Sequence, residues 1–304
     1  MVGVTDNLRR GVDVDASTSA AAGAFSGMVA RMVTAPLDIV KIRLQLQDRP
    51  AKGQQALPVK YKGILNTIVT IAKEEGGVRS LWKGNVPAEI MYILYGATQF
   101  TAYSTFNTAL TSFENAHSLQ VPSSFHSLMI GSLSGTVGTA ISYPFDVMRT
   151  RFAFNRSKKF LSFFGTISYI ARTEGIRGFF GGISPSLLAM AVSSGSTFCA
   201  YEFLSEATDK HAELSFLSPF CGLIAGTFSK TVVFPLDLIR KRMQLTNNDA
   251  KMTSLIRAVY TREGVLGFYH GLSPALIKSA PTTAVSIWMY QLAVATIQNT
   301  GFQA

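Results

Sequence analysis

Followed for its apolar and polar stretches, the chain divides into six long apolar segments, at roughly 16–46, 84–110, 124–154, 182–206, 216–244 and 271–298. About 20 apolar residues suffice to cross the bilayer core as a helix, so each segment can span it with some tilt. Between the members of each pair lies a polar stretch with a shorter periodic piece, near 62–75, 161–173 and 251–262. Each of these predicts a short amphipathic helix. Prolines in all six long segments predict kinks, tolerated in lipid where neighbours satisfy the freed carbonyl.

The segments repeat. One reads Gly23-Ala-Phe-Ser-Gly27 and then Pro36-Leu-Asp38-Ile-Val-Lys41-Ile-Arg43. The second reads Gly131-Ser-Leu-Ser-Gly135 and Pro144-Phe-Asp146-Val-Met-Arg149-Thr-Arg151; the third, Gly222-Leu-Ile-Ala-Gly226 and Pro235-Leu-Asp237-Leu-Ile-Arg240-Lys-Arg242. In all three the second glycine precedes the proline by nine residues. The even segments open at Gly84, Gly182 and Gly271, each with a proline three residues on and a tyrosine nineteen on. Fixed-period self-similarity marks a repeat architecture. The reading is an all-α membrane protein: three tandem helical hairpins, repeats 16–110, 124–206 and 216–298, form a six-helix barrel with pseudo-threefold symmetry. Tails at 1–15 and 299–304 flank them. The small-xxx-small pairs of the odd segments allow close helix packing.

Composition agrees. Apolar residues make up 47% of the 304, only 15% are charged, and the net charge is +10. An apolar yet basic chain reads as a membrane protein with basic loops. Cys199 and Cys221 are too few for a disulfide framework. The stretch 1–15 has no apolar run and three aspartates, unlike a secretory signal or an acid-poor transit peptide.

Asp38, Lys41, Asp146, Arg149, Asp237 and Arg240 border apolar helices, where charge is costly and faces an interior or a partner. An acid and a base three residues apart lie on adjacent faces of one turn. In a threefold ring the acid of one helix therefore meets the base of the next: Asp38–Arg149, Asp146–Arg240 and Asp237–Lys41.

The tripled Pro-x-Asp-x-x-Lys/Arg-x-Arg, followed by Gly-x-x-x-x-aromatic-x-Gly, resembles the mitochondrial carrier family over about 16–298. The resemblance implies a monomeric solute carrier of the mitochondrial inner membrane, multi-pass, with termini toward the intermembrane space. It implies alternating access with the charge ring as matrix gate, braced by a glutamine nine residues past the proline; Gln45 and Gln244 match, and Ala153 does not. It also implies cardiolipin at helix N-termini, where backbone N–H groups favour phosphate, around Gly63, Lys83, Gly84, Gly165, Gly182 and Gly271. The basic residue before the closing glycine is Lys83 in repeat 1 but Gly181 and His270 elsewhere. In repeat 1 the acid–glycine pair reads Glu75-Gly76-Gly77, where only Gly77 keeps the usual distance to Trp82.

Substrate recognition is sought where polar residues break the repeat. Seven residues before the ring aspartates stand Arg31, Thr139 and Lys230, two turns or about 10 Å away on the same face. Seven after the opening glycines stand Met91, Ala189 and Lys278; that face continues through Tyr95, Ser193 and Thr282, then Gln99, Thr197 and Ser286. Three unpaired cations, Arg31, Lys230 and Lys278, therefore call for an anionic, phosphate-bearing solute. Tyr95, Gln99, Ser193, Thr197 and Thr282 are placed to contact its heteroaromatic part. An adenine nucleotide or coenzyme A carrier, or a proton or ion leak of uncoupling type, stays open. Glu89 reads as a first-turn charge facing water. His117, His126, His211 and His270 lack metal-ligand spacing, and no nucleophile–base pair or phosphate-binding glycine loop occurs. Neither an enzyme, a resident cofactor nor a nucleic-acid partner is expected.

The family's second gate has a tyrosine, an acid and a base near the outer ends of even helices. Here it reads Tyr103-Ser104 with Asn107, Tyr201-Glu202 with Ser205, and Tyr290-Gln291 with Val294. One acid survives and no base faces it. The expected resting state is open toward the intermembrane space, with the matrix ring shut.

Overall fold

The computed structural model describes residues 16–47, 60–117, 123–157, 162–210, 220–246 and 251–300, which form helices and turns without a strand. The tail expected at 1–15, residues 301–304 of the other tail, His211 and the predicted helix start at 216–219 lie outside them. Six long helices carry the architecture: α1 (Ala16–Leu46), α3 (Asn85–His117), α4 (Ser123–Phe154), α6 (Ile183–Lys210), α7 (Cys221–Leu245) and α9 (Leu272–Thr300). Short helices α2 (Ile64–Glu74), α5 (Phe163–Thr173) and α8 (Met252–Glu263) link the long helices of each repeat.

Pro36, Pro144, Pro235 and Pro281 lie within helices. Pro87, Pro185 and Pro274 instead occupy the third position of α3, α6 and α9. A first-turn N–H has no intrahelical acceptor to lose, so these three mark helix starts and not the expected kinks. Pro36 cannot bond the carbonyl four residues back, that of Met32. Trp82, from the other half of the repeat, donates its indole N–H to that oxygen at 2.9 Å.

Close packing runs between repeats: α3 along α4, α6 along α7, and α9 along α1. The long helices of one repeat touch far less, so the expected hairpins are paired by connection more than by contact. Two glycines show why. Gly84 and Gly182 stand at φ 84° and 79°, and a Cβ on them would lie 2.8 Å from the Arg149 carbonyl oxygen and 2.9 Å from that of Arg240. A side chain would meet both the left-handed backbone and the neighbouring helix. The paired glycines of the odd helices differ. Gly23, Gly131, Gly222 and Gly226 would place a Cβ in open space, while one on Gly27 would meet the Arg31 guanidinium at 3.2 Å and one on Gly135 the Met190 methyl at 2.9 Å. The expected tight contacts at those pairs are mostly absent in this conformation.

The buried apolar clusters join the last turns of each odd helix to its short helix: Ile39, Val40 and Ile71 in repeat 1, Met148, Phe152 and Ile170 in repeat 2, Leu238, Ile239 and Val259 in repeat 3. Elsewhere large apolar side chains such as Phe100, Phe203 and Trp288 are exposed, as helices facing lipid require. By hydropathy alone, two segments among the described residues read as spans, Ile176–Thr208 and Cys221–Leu245. The other long helices fall short because each carries a polar stripe toward the interior, which a window average cannot separate from the apolar face.

Candidate functional site

The ends of α1, α4 and α7 that follow their prolines converge, and their charges interlock. Arg149 Nη2 reaches Asp38 Oδ2 at 2.7 Å, Arg240 Nη2 reaches Asp146 Oδ2 at 2.8 Å, and Lys41 Nζ stands 3.8 Å from Asp237 Oδ2. Each pair crosses a different seam between repeats. The third is long because Lys230 already holds the same oxygen at 2.7 Å. Asp38 is shared too, with Lys278 on its other oxygen. Asp146 also binds Lys241, at 2.9 Å. Lys230 and Lys278 are therefore not the unpaired cations expected. A lysine stem is long enough to turn back to the ring, and sharing a carboxylate costs less than burying a lone ammonium.

Above the ring lies a cavity of about 350 Å³. Its wall holds six bases, Lys41, Arg149, Lys230, Arg240, Lys241 and Lys278, against three acids, Asp38, Asp146 and Asp237, a surplus of three positive charges. Tyr92, Tyr95 and Ser193 line it as well. A second groove of about 530 Å³ shares Ser193 with it and is bordered by Thr197, Phe198 and Tyr201. Arg31 stacks on the face of Tyr92, its guanidinium carbon 3.7 Å from the ring centroid, and Arg149 donates to the Tyr92 hydroxyl at 3.1 Å. Arg31 thus reaches the cavity wall through Tyr92 and is not itself among the lining residues. Gln99 and Thr282 do not line the cavity either, and Thr282 donates to the Lys278 carbonyl. The Tyr95 ring lies against Gly138 of α4.

Tyr92 and Lys241 were not anticipated. Tyr92 sits one residue off the register that selects Met91, and Lys241 hides between two motif arginines. Breaking the repeat pattern was the available signal: repeats 1 and 2 have Ile42 and Thr150 where repeat 3 has Lys241.

The opposite end is open. Tyr103 and Tyr201 are 42% and 51% exposed, and Glu202 is exposed with no ion pair among the described residues. Ser104 is exposed; Tyr290 and Gln291 are half-buried. Asn107, in the place of a ring base, has its side-chain oxygen 3.1 Å from His126 Nε2, and His126 Nδ1 lies 2.7 Å from Glu114.

One end closed by three crossed ion pairs, from a motif present three times, is a family-level signature, and the family model described as "Mitochondrial carrier protein" matches residues 13–114, 120–212 and 213–301. The chain belongs to the mitochondrial carrier family. It is 43% identical to the mitochondrial thiamine pyrophosphate carrier 1 of Meyerozyma guilliermondii, over 94% of this chain and 96% of that one. The protein of the same name from Scheffersomyces stipitis is 43% identical over 97% and 95%. That from Candida albicans is 39% identical over 97% and 96%.

Beneath the ring this carrier has a second layer of acid–base pairs. Arg43 meets Glu75 at 2.7 Å, Arg151 meets Glu174 with two bonds at 2.6 and 2.7 Å, and Arg242 meets Glu263 at 2.6 Å. The extra residue in repeat 1 is absorbed by Gly76 and Gly77, both at positive φ, so Glu75 still reaches Arg43. Burial opposes ionisation of Glu263, but hydrogen bonds from His270 and Arg242 and the Arg242 charge outweigh it and hold the carboxyl below its usual range.

The two matching glutamines diverge in the carrier. Gln244 bonds Asp146, accepts from Thr150 at 2.6 Å and from Lys241 at 3.0 Å, and donates to the Tyr143 hydroxyl at 3.3 Å. Gln45 is fully buried with both amide atoms unpartnered, its stem packed beside Gly271, so it braces no ion pair here. Lys83 is likewise not presented to a lipid phosphate. It is 3% exposed, on Glu75 at 2.8 Å and on the carbonyls of Asn155 and Ser157 at 3.1 and 2.7 Å. In repeat 2 the Gly165 N–H is already bonded to the Ser162 hydroxyl, at 3.3 Å.

Proposed function

We propose that this carrier moves thiamine pyrophosphate across the mitochondrial inner membrane by alternating access, in exchange for another phosphorylated solute. The observation that carries this reading is the surplus of three positive charges in a cavity closed at one end and open at the other. A diphosphate supplies the missing negative charge, and lysine ammonium groups with an arginine fork are suited to phosphate oxygens. Three relatives that align over nearly their whole length carry the name of that substrate. Residues of this sequence resemble the fungal thiamine pyrophosphate carriers at Trp82-Lys-Gly-Asn-Val-Pro87, at Tyr95-Gly-Ala-Thr-Gln-Phe100 and at Lys278-Ser-Ala-Pro-Thr-Thr-Ala.

In this reading Asp38, Lys41, Asp146, Arg149, Asp237 and Arg240 form the matrix gate, and the open end faces the intermembrane space, as do the termini. Solute entering from that side meets Tyr95, Ser193 and Thr197 on the wall before the cations at the floor. Tyr103, Ser104, Tyr201, Glu202, Tyr290 and Gln291 then close above it through hydrogen bonds. One cavity per chain makes the monomer the working unit. Cardiolipin phosphates bind the N–H groups around Gly63, Gly84, Gly182 and Gly271, where helix ends concentrate positive potential.

Counter-exchange in liposomes tests the proposal. Labelled thiamine pyrophosphate should exchange against itself, and Lys278→Ala should abolish that exchange. Preference for an adenine nucleotide or coenzyme A over thiamine pyrophosphate would move the substrate assignment. Current without organic flux would replace it with an ion leak.

A further inference from the structure

The aromatic rings around the cationic cavity are already taken. Tyr92 carries the Arg31 guanidinium on its face at 3.7 Å, Tyr143 faces Arg240 at 5.3 Å and Phe234 faces Lys41 at 6.0 Å. The groove of about 530 Å³ is different in kind. No charged side chain borders it among the described residues. Its two aromatic residues, Phe198 and Tyr201, hold no cation and stack on no other ring among them.

Small residues keep the groove open. Gly131 and Gly222 border it, and a Cβ on either would meet nothing within 4 Å. In repeat 1 the place of Ser193 belongs to Tyr95, whose ring lies against Gly138 of α4. Ser193 instead faces Ser229 of α7, hydroxyl to hydroxyl at 3.1 Å, and Ser229 donates to the Ser193 carbonyl at 3.0 Å. The short side chain is thus tied to the seam between repeats 2 and 3 and fills little of the wall. Thr197 and Tyr201 follow Ser193 on the same face of α6, about 6 and 12 Å along the helix toward the open end.

We infer that this groove is a subsite for the cationic thiazolium ring of the solute, with Phe198 and Tyr201 supplying the faces that hold its charge. This deepens the proposed function and rests on its reading of the cavity as a diphosphate site. Thiamine pyrophosphate carries opposite charges at its two ends. The cavity's surplus of positive charge attracts the diphosphate and repels the ring, so one basic pocket cannot favour both. A neighbouring groove without bases removes the conflict. Free aromatic faces there attract a cation through their π electrons, and the groove shares Ser193 with the cavity, which sets the two subsites side by side. Specificity follows from the division: the cavity selects the phosphates, and the groove selects a positively charged ring attached to them.

The test is binding to the purified full-length carrier in detergent, by thermal-shift titration with thiamine pyrophosphate, inorganic pyrophosphate and deazathiamine pyrophosphate. The last keeps the shape of the solute but has a neutral thiophene for the thiazolium. Wild type should bind thiamine pyrophosphate about fivefold more tightly than the neutral analogue. Phe198→Leu combined with Tyr201→Leu should bring the two together. Phe100→Leu, at the matching position of repeat 1 and exposed outside the groove, should keep the wild-type ratio. Gly131→Leu fills the groove from the opposite wall and should erase the margin of thiamine pyrophosphate over inorganic pyrophosphate.

Equal or tighter binding of the neutral analogue by wild type would overturn the subsite while leaving the diphosphate reading intact. A charge preference that survives loss of both rings would overturn it too. If neither thiamine pyrophosphate nor inorganic pyrophosphate shifts the wild-type midpoint, the diphosphate reading itself falls, and the subsite falls with it.

Discussion

The closed and open ends of this barrel share one repeat but are built from different materials. At the closed end every odd helix contributes an acid and a base, a second arginine meets a glutamate below, and buried apolar clusters fill the space between long and short helices. At the open end the tyrosines are kept, but the charged partners are reduced to Glu202, and four of the six paired glycines of the odd helices face open space. Threefold symmetry therefore sets the frame, while the placement of charge along it decides which end holds. A partly screened ion pair contributes up to about 1 kcal/mol, so a ring of three at one end, with no such ring among the described residues at the other, biases the conformation strongly.

The comparison breaks most visibly at Asp146. Asp146→Ala strands Arg240 and Lys241 and should cost about 3–5 kcal/mol, seen as a large fall in the thermal unfolding midpoint. Glu202→Ala at the open end should stay within about 0.5 kcal/mol of wild type. Glycines give the next contrast. Gly84→Ala forces a side chain into a left-handed backbone 2.8 Å from a carbonyl oxygen and should cost about 1–3 kcal/mol or more. Gly222→Ala, with space around it and a helical backbone, should be neutral or stabilising.

A smaller contrast separates the glutamines. Gln244→Ala leaves Tyr143, Thr150 and Asp146 short of a partner and should destabilise by about 1–3 kcal/mol. Gln45→Ala removes an amide that makes no bond, so the same melting assay should show a distinctly smaller loss. The smallest effect is on pH. Glu263 is more acidic in the fold than its ordinary value of 4.5, so its contribution is present above that value and fades as pH falls through the lower folded value. Glu263→Gln should therefore flatten the acid side of the stability profile, below about pH 4.5.

Much of this architecture was legible because the repeat writes it three times. Segment lengths gave the helices, and an acid and a base three residues apart gave the crossed pairs. What escaped the sequence depends on side-chain reach and on packing. Lys230 lies two turns from Asp237 in the sequence pattern, and only its extended stem brings them together. Pro87, Pro185 and Pro274 look like kinks until the preceding glycines are seen to start new helices. Gln45 and Gln244 occupy equivalent positions, yet their bonding depends on neighbours from different repeats. Thr150 and Lys241 surround one, and Gly271 faces the other.

The claim that the carrier rests closed on the matrix side and open on the other is tested most directly by single-cysteine accessibility. On a background of Cys199→Ser and Cys221→Ser, Thr197→Cys and Ser286→Cys would be exposed without substrate to an impermeant maleimide from the intermembrane-space side. Rapid labelling of both, slowed by thiamine pyrophosphate, is the predicted result. Shielding from that side together with labelling from the matrix side would contradict it.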